Sequence, residues 1–185
     1  MSNINSKIKL IIKEIENVLL ISNYNNIDEI INTIANSKKI VTCGAGRVGY
    51  AIRSFCMRLG HCNFNATHIG DTTVPRIGTN DLFLVASGSG ETKTIVEFTK
   101  IAKSSGAKII AFTNNVESTI GKLSDLTVEI KAPNKIRNHE AKTIQPMTTL
   151  NEQSLWLFFD SLVLVMMEKL NIPEELMKNT HSILE

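Results

Sequence analysis

Hydrophobic residues at the start of the chain are spaced as in helices. Five isoleucine and leucine residues recur at steps of three and four and form one apolar stripe: Ile4, Ile8, Ile11, Ile15 and Leu19. This pattern predicts an amphipathic helix over the first twenty residues. Asn26 then stands in the position of a cap for a second, shorter helix that runs to Ala35.

From Lys38 onward the pattern changes to short β-branched runs separated by helical stretches. The predicted strands are KIVTC, CNFNATHI, LFLVAS, KIIAFT and LTVEI, and the predicted helices are RVGYAIRSFCMRLG and residues 91 to about 105. Residues 82–86 and 109–112 are apolar at successive positions, as in strands of a parallel sheet that is covered on both faces. The order predicts an α/β fold, a single doubly wound domain whose sheet of about five parallel strands is flanked by helices.

The chain divides into four segments of this one domain. N-terminal helices occupy residues 1–36, the α/β core 38–131, a loop 132–147 and C-terminal helices 148–185. The loop contains Pro133, Pro146, many polar residues and little periodicity. Connections of this length are usually functional or mobile, so we predict a lid or active-site loop. Pro173 opens the last helical segment, because proline is tolerated in a first helical turn.

Composition and charge narrow the classes of function. Hydrophobic residues make up 43% and charged residues 21% of the 185 residues, as in a globular domain. The formal charge of +2 is spread without a basic block, so we expect no nucleic-acid partner. No apolar run is long enough to cross a bilayer, and charged residues interrupt the N-terminal apolar positions, unlike in a signal peptide. We therefore expect a cytoplasmic protein without a membrane partner.

The cysteines do not suggest a disulfide framework or a metal site. Their number is three, without CxxC spacing, so we expect free thiols. The spacing of the nearby cysteines and histidines matches no standard pair of zinc ligands, and we expect no metal: Cys56, His61, Cys62 and His68.

A first glycine loop follows the first predicted strand. Gly44, Gly46 and Gly49 have the G-x-G-x-x-G spacing of a dinucleotide site and open a helix. Such a site also needs an acidic residue about 20 positions further on to hold the ribose, but the first acid, Asp71, lies beyond that point. Two interpretations stay open here: a nicotinamide site that lacks its ribose partner, and a tight strand-to-helix turn without a ligand.

A second loop, SGSGET at residues 87–92, has a more specific chemistry. Its glycines let successive backbone N–H groups point at one spot, the following helix adds a positive partial charge, and three hydroxyls can donate to phosphate oxygens. Thr92, instead of glycine, precedes Lys93, which excludes a Walker A site. The alternative is that Ser87 or Ser89 only caps the helix. The density of hydroxyls favours a phosphate cradle.

Five sequence blocks together resemble the 6-phospho-3-hexuloisomerases of the sugar isomerase (SIS) domain family: GAGRVGYAIRSFCMRLGH, GDTTVPRI, SGSGET, QPMTTLNEQ and THSILE. The resemblance extends from about Lys38 to the end of the chain. SGSGET alone is typical of any SIS domain. Two alternatives therefore stay open: another SIS isomerase that acts on a pentose or amino sugar phosphate, and a module that only binds a sugar phosphate. The other blocks and the short length favour the hexuloisomerases. The resemblance implies interconversion of 3-hexulose 6-phosphate and fructose 6-phosphate by a homotetramer, with sites between subunits and without a cofactor.

The same resemblance implies roles for individual residues. Glu152 is the base, Arg47 lies at the rim of the site, and His181 approaches the substrate from the C-terminal tail of a neighbouring subunit. The phosphate-binding residues are Ser87, Gly88, Ser89, Gly90, Glu91 and Thr92.

Three positions depart from the family pattern. Val48 stands where the family has serine, Thr148 where it has glycine, and Asn151 where it has an aromatic residue. Two of these changes flank the predicted base, so we expect them to affect substrate preference.

The reaction requires a base beside the substrate carbonyl. Moving a carbonyl from C3 to C2 means removing a proton from the adjacent carbon and returning one to its neighbour through an enediolate, with donors facing the developing charge. Glu152 and the backbone amides near the glycine loops are the candidates for these roles. In the alternative interpretation, residues 149–152 (TLNE) form a capping box and Glu152 only reaches back to the helix start. His181 is either an acid, base or hydroxyl ligand, or an interface or core residue.

Residues 150–170 have more apolar surface than one side of a helix in a monomer needs. The large side chains of this segment are Trp156, Phe158, Phe159, Met166 and Met167. They predict a subunit interface as well as a core.

Overall fold

Five short parallel strands form the centre of the fold, in the order β2-β1-β3-β4-β5. The computed structural model describes residues 3–133 and 143–184. Its elements in this part of the chain are α1 (Ile4–Ile21), α2 (Ile27–Asn36), β1 (Ile40–Gly44), α3 (Gly46–His61), β2 (Ala66–His68), β3 (Leu82–Ala86), α4 (Lys93–Ser104), β4 (Lys108–Thr113), α5 (Thr119–Leu123), β5 (Leu126–Glu129), α6 (Thr149–Leu170) and α7 (Glu174–Thr180). The parallel sheet flanked by helices confirms the predicted α/β fold.

Alternate residues of each central strand face two separate cores. In β3, Leu82, Leu84 and Ala86 belong to the core shared with α1, α2, α3 and α6. Phe83 and Val85 belong to the core shared with α4 and α5. Complete burial of a side chain of this size contributes about 1.5–3 kcal/mol, so both layers of helices hold the sheet in place. Burial on both faces explains the uninterrupted apolar runs of the sequence.

Aromatic contacts fix α3 against α6 and both helices against the sheet. Phe55 of α3 stacks on Phe159 of α6 with ring centroids 4.7 Å apart, and Phe112 of β4 meets Phe159 edge-on at 4.9 Å. Aromatic pairs at these distances contribute about 0.5–1.5 kcal/mol beyond the area that they bury. The contacts fix α3, α6 and β4 against one another at this point of the core.

Several boundaries differ from the sequence prediction. Helix α4 begins at Lys93, two residues later than predicted, and α5 was not predicted. Helix α7 ends at Thr180, so His181 lies just beyond the last helix instead of within it. Asn26 does occupy the N-cap position of α2, but its side chain donates to the carbonyl of Thr127 at 3.1 Å and does not cap the helix.

The predicted active-site loop, residues 132–147, is described only at its two ends, and residues 134–142 lie outside the described residues. At its far end, the Glu14 carboxylate of α1 accepts hydrogen bonds from Thr143 Oγ1 at 2.9 Å, Ile144 N at 2.8 Å and Gln145 Nε2 at 3.0 Å. Burial raises the pKa of Glu14, but these hydrogen bonds outweigh burial and lower the pKa below its ordinary value. The segment that leads into α6 is therefore anchored on α1.

The apolar stripe of α1 is only half covered. Ile15 is buried, whereas Ile4 is 70% and Ile8 46% exposed. On α6, three of the residues predicted for an interface are buried in the core: Phe158, Phe159 and Met166.

Within residues 3–133 and 143–184, no helix combines the length and apolarity needed to span a bilayer.

Candidate active site

The two glycine loops open at the same edge of the sheet, on neighbouring strands. β1 pairs in parallel with β3, and Gly44 at the end of β1 lies opposite Ala86 at the end of β3. The chain leaves β1 toward β2 on one side and leaves β3 toward β4 on the other. Such a reversal of strand order creates a crevice at the carboxyl ends of the strands, where open α/β sheets bind ligands.

The SGSGET loop at residues 87–92 is folded around the Ser87 side chain. Its buried hydroxyl accepts from Gly90 N at 3.2 Å and lies 3.2 Å from Thr92 Oγ1. Ser89 Oγ accepts from Glu91 N at 3.2 Å. Ser87 and Ser89 thus bond within the loop, and the interpretation that either serine caps α4 is wrong.

The N-terminus of α4 is available to an anion. Its N-cap residue, Thr92, makes no side-chain cap hydrogen bond. The first N–H groups of a helix have no partner within the helix, and they carry a positive partial charge. Ser89 and Thr92 are partly exposed beside them and contribute hydroxyls. The loop and α4 together therefore form a site suited to a phosphate.

The Glu91 side chain connects the SGSGET loop to the start of α5. One of its carboxylate oxygens accepts from Thr119 N at 2.7 Å and the other from Thr119 Oγ1 at 2.8 Å, at the start of α5. The carbonyl of Gly90 also accepts from Ile120 N at 3.1 Å. These bonds tie the loop to α5.

Glu152 lies in the first turn of α6 with both carboxylate oxygens engaged. Arg47, at the start of α3 and 105 positions away in the sequence, donates from Nε to Oε2 in a short ion pair. Thr148 Oγ1 donates to Oε1 at 2.8 Å. The Glu152 side chain is only 11% exposed, whereas that of Arg47 is 63% exposed. A nearly buried carboxylate is therefore held in one orientation beside a more accessible guanidinium.

The capping-box interpretation of Glu152 is wrong. The N-cap of α6 is Thr148, not Thr149, and Thr149 N donates to the carbonyl of Pro146 at 3.3 Å. The Glu152 carboxylate accepts from two side chains, those of Thr148 and Arg47, instead of reaching back to a backbone N–H.

A cavity of about 420 Å³ opens at the Arg47–Glu152 pair. Its other lining residues are Ile15, Tyr50, Gln153, Trp156 and Leu157. None of these five residues was predicted from the sequence to belong to the site. Helical spacing was the available signal, because residues three and four positions after a site residue share its helix face: Tyr50 follows Arg47 by three and Trp156 follows Glu152 by four.

The SGSGET loop does not line this cavity, but it contacts the same turn of α6. A Cβ placed on Gly88 would lie 2.9 Å from Asn151 Nδ2, so the loop backbone packs directly on the residue before Glu152. The SGSGET loop and the candidate base are thus adjacent through Gly88 and Asn151.

His181 lies elsewhere in the chain. Its ring is 5.0 Å from the ring of His61, the last residue of α3, whereas Arg47 lies in the first turn of the same helix. Fourteen residues at 1.5 Å each separate the two ends by about 21 Å. Within one chain, His181 is therefore far from Glu152, and its predicted contribution from a neighbouring subunit stays a prediction.

The Gly44–Gly49 loop is a close strand-to-helix contact. A Cβ on Gly49 would lie 2.8 Å from the carbonyl oxygen of Gly44, so glycine is needed for α3 to pack on β1. β2 ends at His68, and the Asp71 carboxylate is engaged by Arg53 at 2.7 Å and by His68 N at 3.1 Å. This arrangement favours the turn over a nicotinamide site.

The cysteines are buried free thiols, as predicted. Burial raises the pKa of Cys43 to about 12, so its thiol stays protonated near neutral pH. Across the described ranges, no three His, Cys, Asp or Glu side chains converge as a metal site requires.

Comparison with known proteins gives consistent results. A Bacillus subtilis (strain 168) protein named 3-hexulose-6-phosphate isomerase is 40% identical over 95% of this chain and 95% of its own length. A Methylomonas aminofaciens protein of the same name is 31% identical over 96% of this chain and 97% of its own length. The crystal structure of a Methanococcus jannaschii protein, for which a function as 3-hexulose-6-phosphate isomerase was inferred, has a TM-score of 0.84 at 29% identity, covering 97% of this chain and 99% of that protein.

A family model described as SIS domain matches residues 33–157. The matched region contains the whole sheet, both glycine loops and Glu152. The fold and the extent of the match lead to one conclusion: the chain belongs to the SIS domain family.

Proposed function

We propose that this protein is an isomerase that interconverts 3-hexulose 6-phosphate and fructose 6-phosphate. The observation that carries the proposal is the nearly buried Glu152 carboxylate, oriented by Arg47 and Thr148 next to a loop suited to phosphate. The relatives named 3-hexulose-6-phosphate isomerase support this choice of substrate, since similarity to them extends over almost the whole chain.

The substrate phosphate is bound at the SGSGET loop and the start of α4. The hydroxyls of Ser89 and Thr92 and the uncapped N–H groups of α4 donate to its oxygens. Ser87, Gly90 and Glu91 shape the loop, because their side chains or backbone atoms are bonded within it or to α5. Gly88 lets the loop backbone pass Asn151.

Glu152 acts as the base. Starting from fructose 6-phosphate, its carboxylate removes the proton on C3, the C–H electron pair forms the C2–C3 double bond, and the C2 carbonyl becomes an enediolate oxygen. Return of a proton to C2 and transfer of the hydroxyl proton from O3 to O2 give the 3-ketone. General base catalysis of this kind contributes about 10²–10⁴-fold to the rate.

Arg47 stabilises the negative charge of the intermediate. Its bond to Glu152 uses Nε–H, and a guanidinium has four further N–H donors. The side chain is more than half exposed to the cavity and solvent, so these donors can face an oxygen of a substrate that lies against Glu152. Donors that are in place before the reaction stabilise developing charge effectively.

Isotope exchange tests the proposed reaction. In deuterium oxide with fructose 6-phosphate, we expect NMR to show deuterium incorporated at carbon 3, because Glu152 exchanges its proton with solvent before returning it. Exchange at carbon 1 would contradict the proposal and indicate an aldose-ketose isomerase. Binding without exchange at either carbon would also contradict it and indicate a sugar-phosphate-binding module.

We further propose that the protein is a homo-oligomer, expected to be a tetramer. Trp156 and Leu157 on α6 are 44% and 47% exposed, and the uncovered isoleucines of α1 add to the apolar surface. A neighbouring copy would place its His181 at the substrate, where the imidazole is suited to moving the hydroxyl proton. Analytical ultracentrifugation at micromolar concentration should give a mass well above 20.5 kDa, and a monomer would contradict this proposal.

Two further expectations stay predictions: that residues 132–147 form an active-site loop, and that the protein is cytoplasmic.

A further inference from the structure

Asn151 is a polar side chain buried between the phosphate loop and the base. It lies in the first turn of α6, directly before Glu152, and is 1% exposed. Its Nδ2 would be 2.9 Å from a Cβ on Gly88, and Asn114 Nδ2 would be 3.9 Å from the same point. The Asn151 amide is therefore at the carboxyl edge of β3 and β4, the ligand-binding edge of the sheet.

Neither polar atom of Asn151 has a hydrogen-bond partner within residues 3–133 and 143–184. Leaving a buried donor or acceptor unsatisfied costs about 1–3 kcal/mol, and most buried polar atoms in proteins are bonded. The nearby Asn114 amide is already used, since its Nδ2 donates to the carbonyl of Ala132 at 3.1 Å. The Asn151 amide thus keeps its full hydrogen-bonding capacity for a partner outside the described protein atoms.

We propose that Asn151 binds a hydroxyl group of the sugar phosphate, the one on C4 or C5. This inference rests on the proposed isomerase function and specifies its substrate contact. In a hexulose 6-phosphate, C4 and C5 lie between the phosphate on C6 and the reacting C2 and C3. Asn151 lies in the corresponding place, between the SGSGET loop and Glu152.

The chemistry of the two groups is complementary. A side-chain amide offers N–H donors and a carbonyl acceptor, and a hydroxyl donates once and accepts. One hydroxyl can therefore bond to both Oδ1 and Nδ2. A site built to bond a hydroxyl discriminates strongly against an analogue without it, because the buried polar atoms are then left unpaired.

The test compares Asn151→Leu with the wild type on fructose 6-phosphate and on its 4-deoxy and 5-deoxy analogues. Leucine has the same number and branching of heavy atoms as asparagine and no polar atoms. We expect kcat/KM for fructose 6-phosphate, from carbon-3 exchange, to fall about 10- to 100-fold. With the analogue that lacks the bonded hydroxyl, the variant and the wild type should agree within about twofold, because the contact is absent from both.

Ser154→Ala is the matched control. Ser154 lies one turn further along α6, is also fully buried, and its Oγ also has no partner among the described residues. We expect this variant to keep the kinetics of the wild type with all three sugars.

The melting temperature of Asn151→Leu should equal or exceed that of the wild type, since the substitution removes unpaired polar atoms from the free protein. A purely structural amide would instead show a lower melting temperature.

Two results would overturn the inference: an unchanged kcat/KM of Asn151→Leu, or an equal loss with fructose 6-phosphate and both analogues. Calorimetric titration with fructose 6-phosphate separates this failure from that of the proposed reaction. A wild type that binds the sugar but exchanges no carbon-3 proton is not the proposed isomerase. Even then, about tenfold weaker binding by Asn151→Leu would support the hydroxyl contact, and equal binding would reject it.

Discussion

Replacing Glu152 with glutamine is expected to lower the turnover of fructose 6-phosphate by about 10²–10⁴-fold while the protein stays folded. Glutamine has nearly the same shape, and its carbonyl oxygen can still accept the hydrogen bond that Thr148 donates to Oε1. It has no carboxylate to take the carbon-3 proton. The loss should therefore lie in kcat, measured by deuterium exchange, with affinity for the sugar within about threefold of the wild type.

Glu168→Gln provides the control for this substitution. Glu168 is on the same helix, α6, but is exposed and lies 16 residues beyond Glu152. The control variant should match the wild type in both exchange rate and melting temperature. If Glu152→Gln retained near-normal exchange, Glu152 would have no part in the chemistry, and the ion pair with Arg47 would serve only to join α3 to α6.

The sequence predicted the sheet well because each strand is identified by its own residues. Residues 82–86 are apolar throughout, and the run corresponds to β3 because both faces of that strand are buried. α5 was missed for the opposite reason. It has only five residues. Ser118 caps it locally, since its Oγ accepts from Gly121 N, but its start is also held by the distant Glu91, which accepts from Thr119.

Two residues of the candidate site were predicted from the sequence, but their contacts and the other residues that line the cavity were not. Arg47 and Glu152 were assigned to one site from the resemblance, and their ion pair depends on how α3 packs against α6. The Thr148 contact was not predicted. Thr148 follows Met147, whose φ of 57° is uncommon for a residue other than glycine. No local sequence pattern indicates this turn of the backbone before α6. The role of His181 depends on assembly between chains, which residue patterns do not specify.

Gly90→Ala is expected to disrupt the SGSGET loop more than any other single change in it. Gly90 has a φ of 67°, and a Cβ at this position would overlap the side chain of Ser118, which caps α5. The left-handed backbone costs about 1–2 kcal/mol for alanine, and overpacking typically adds about 1–3 kcal/mol. We expect the melting temperature to fall by about 5–15 °C, since 1 kcal/mol corresponds to roughly 2–4 °C at this chain length.

The same substitution should abolish sugar phosphate binding, because Gly90 cannot move away from Ser118 without breaking its hydrogen bonds to Ser87 and Ile120. Calorimetry with fructose 6-phosphate measures this loss. Two glycine variants separate the causes. A Cβ on Gly46 meets no atom within 4 Å, but its φ is 58°, so Gly46→Ala tests backbone strain alone. Gly60, inside α3, has neither constraint, and Gly60→Ala should be neutral or stabilise by about 0.5–1 kcal/mol. If Gly90→Ala were no less stable than Gly46→Ala and still bound the sugar, close packing of the loop on Ser118 would not be what holds the phosphate site in shape.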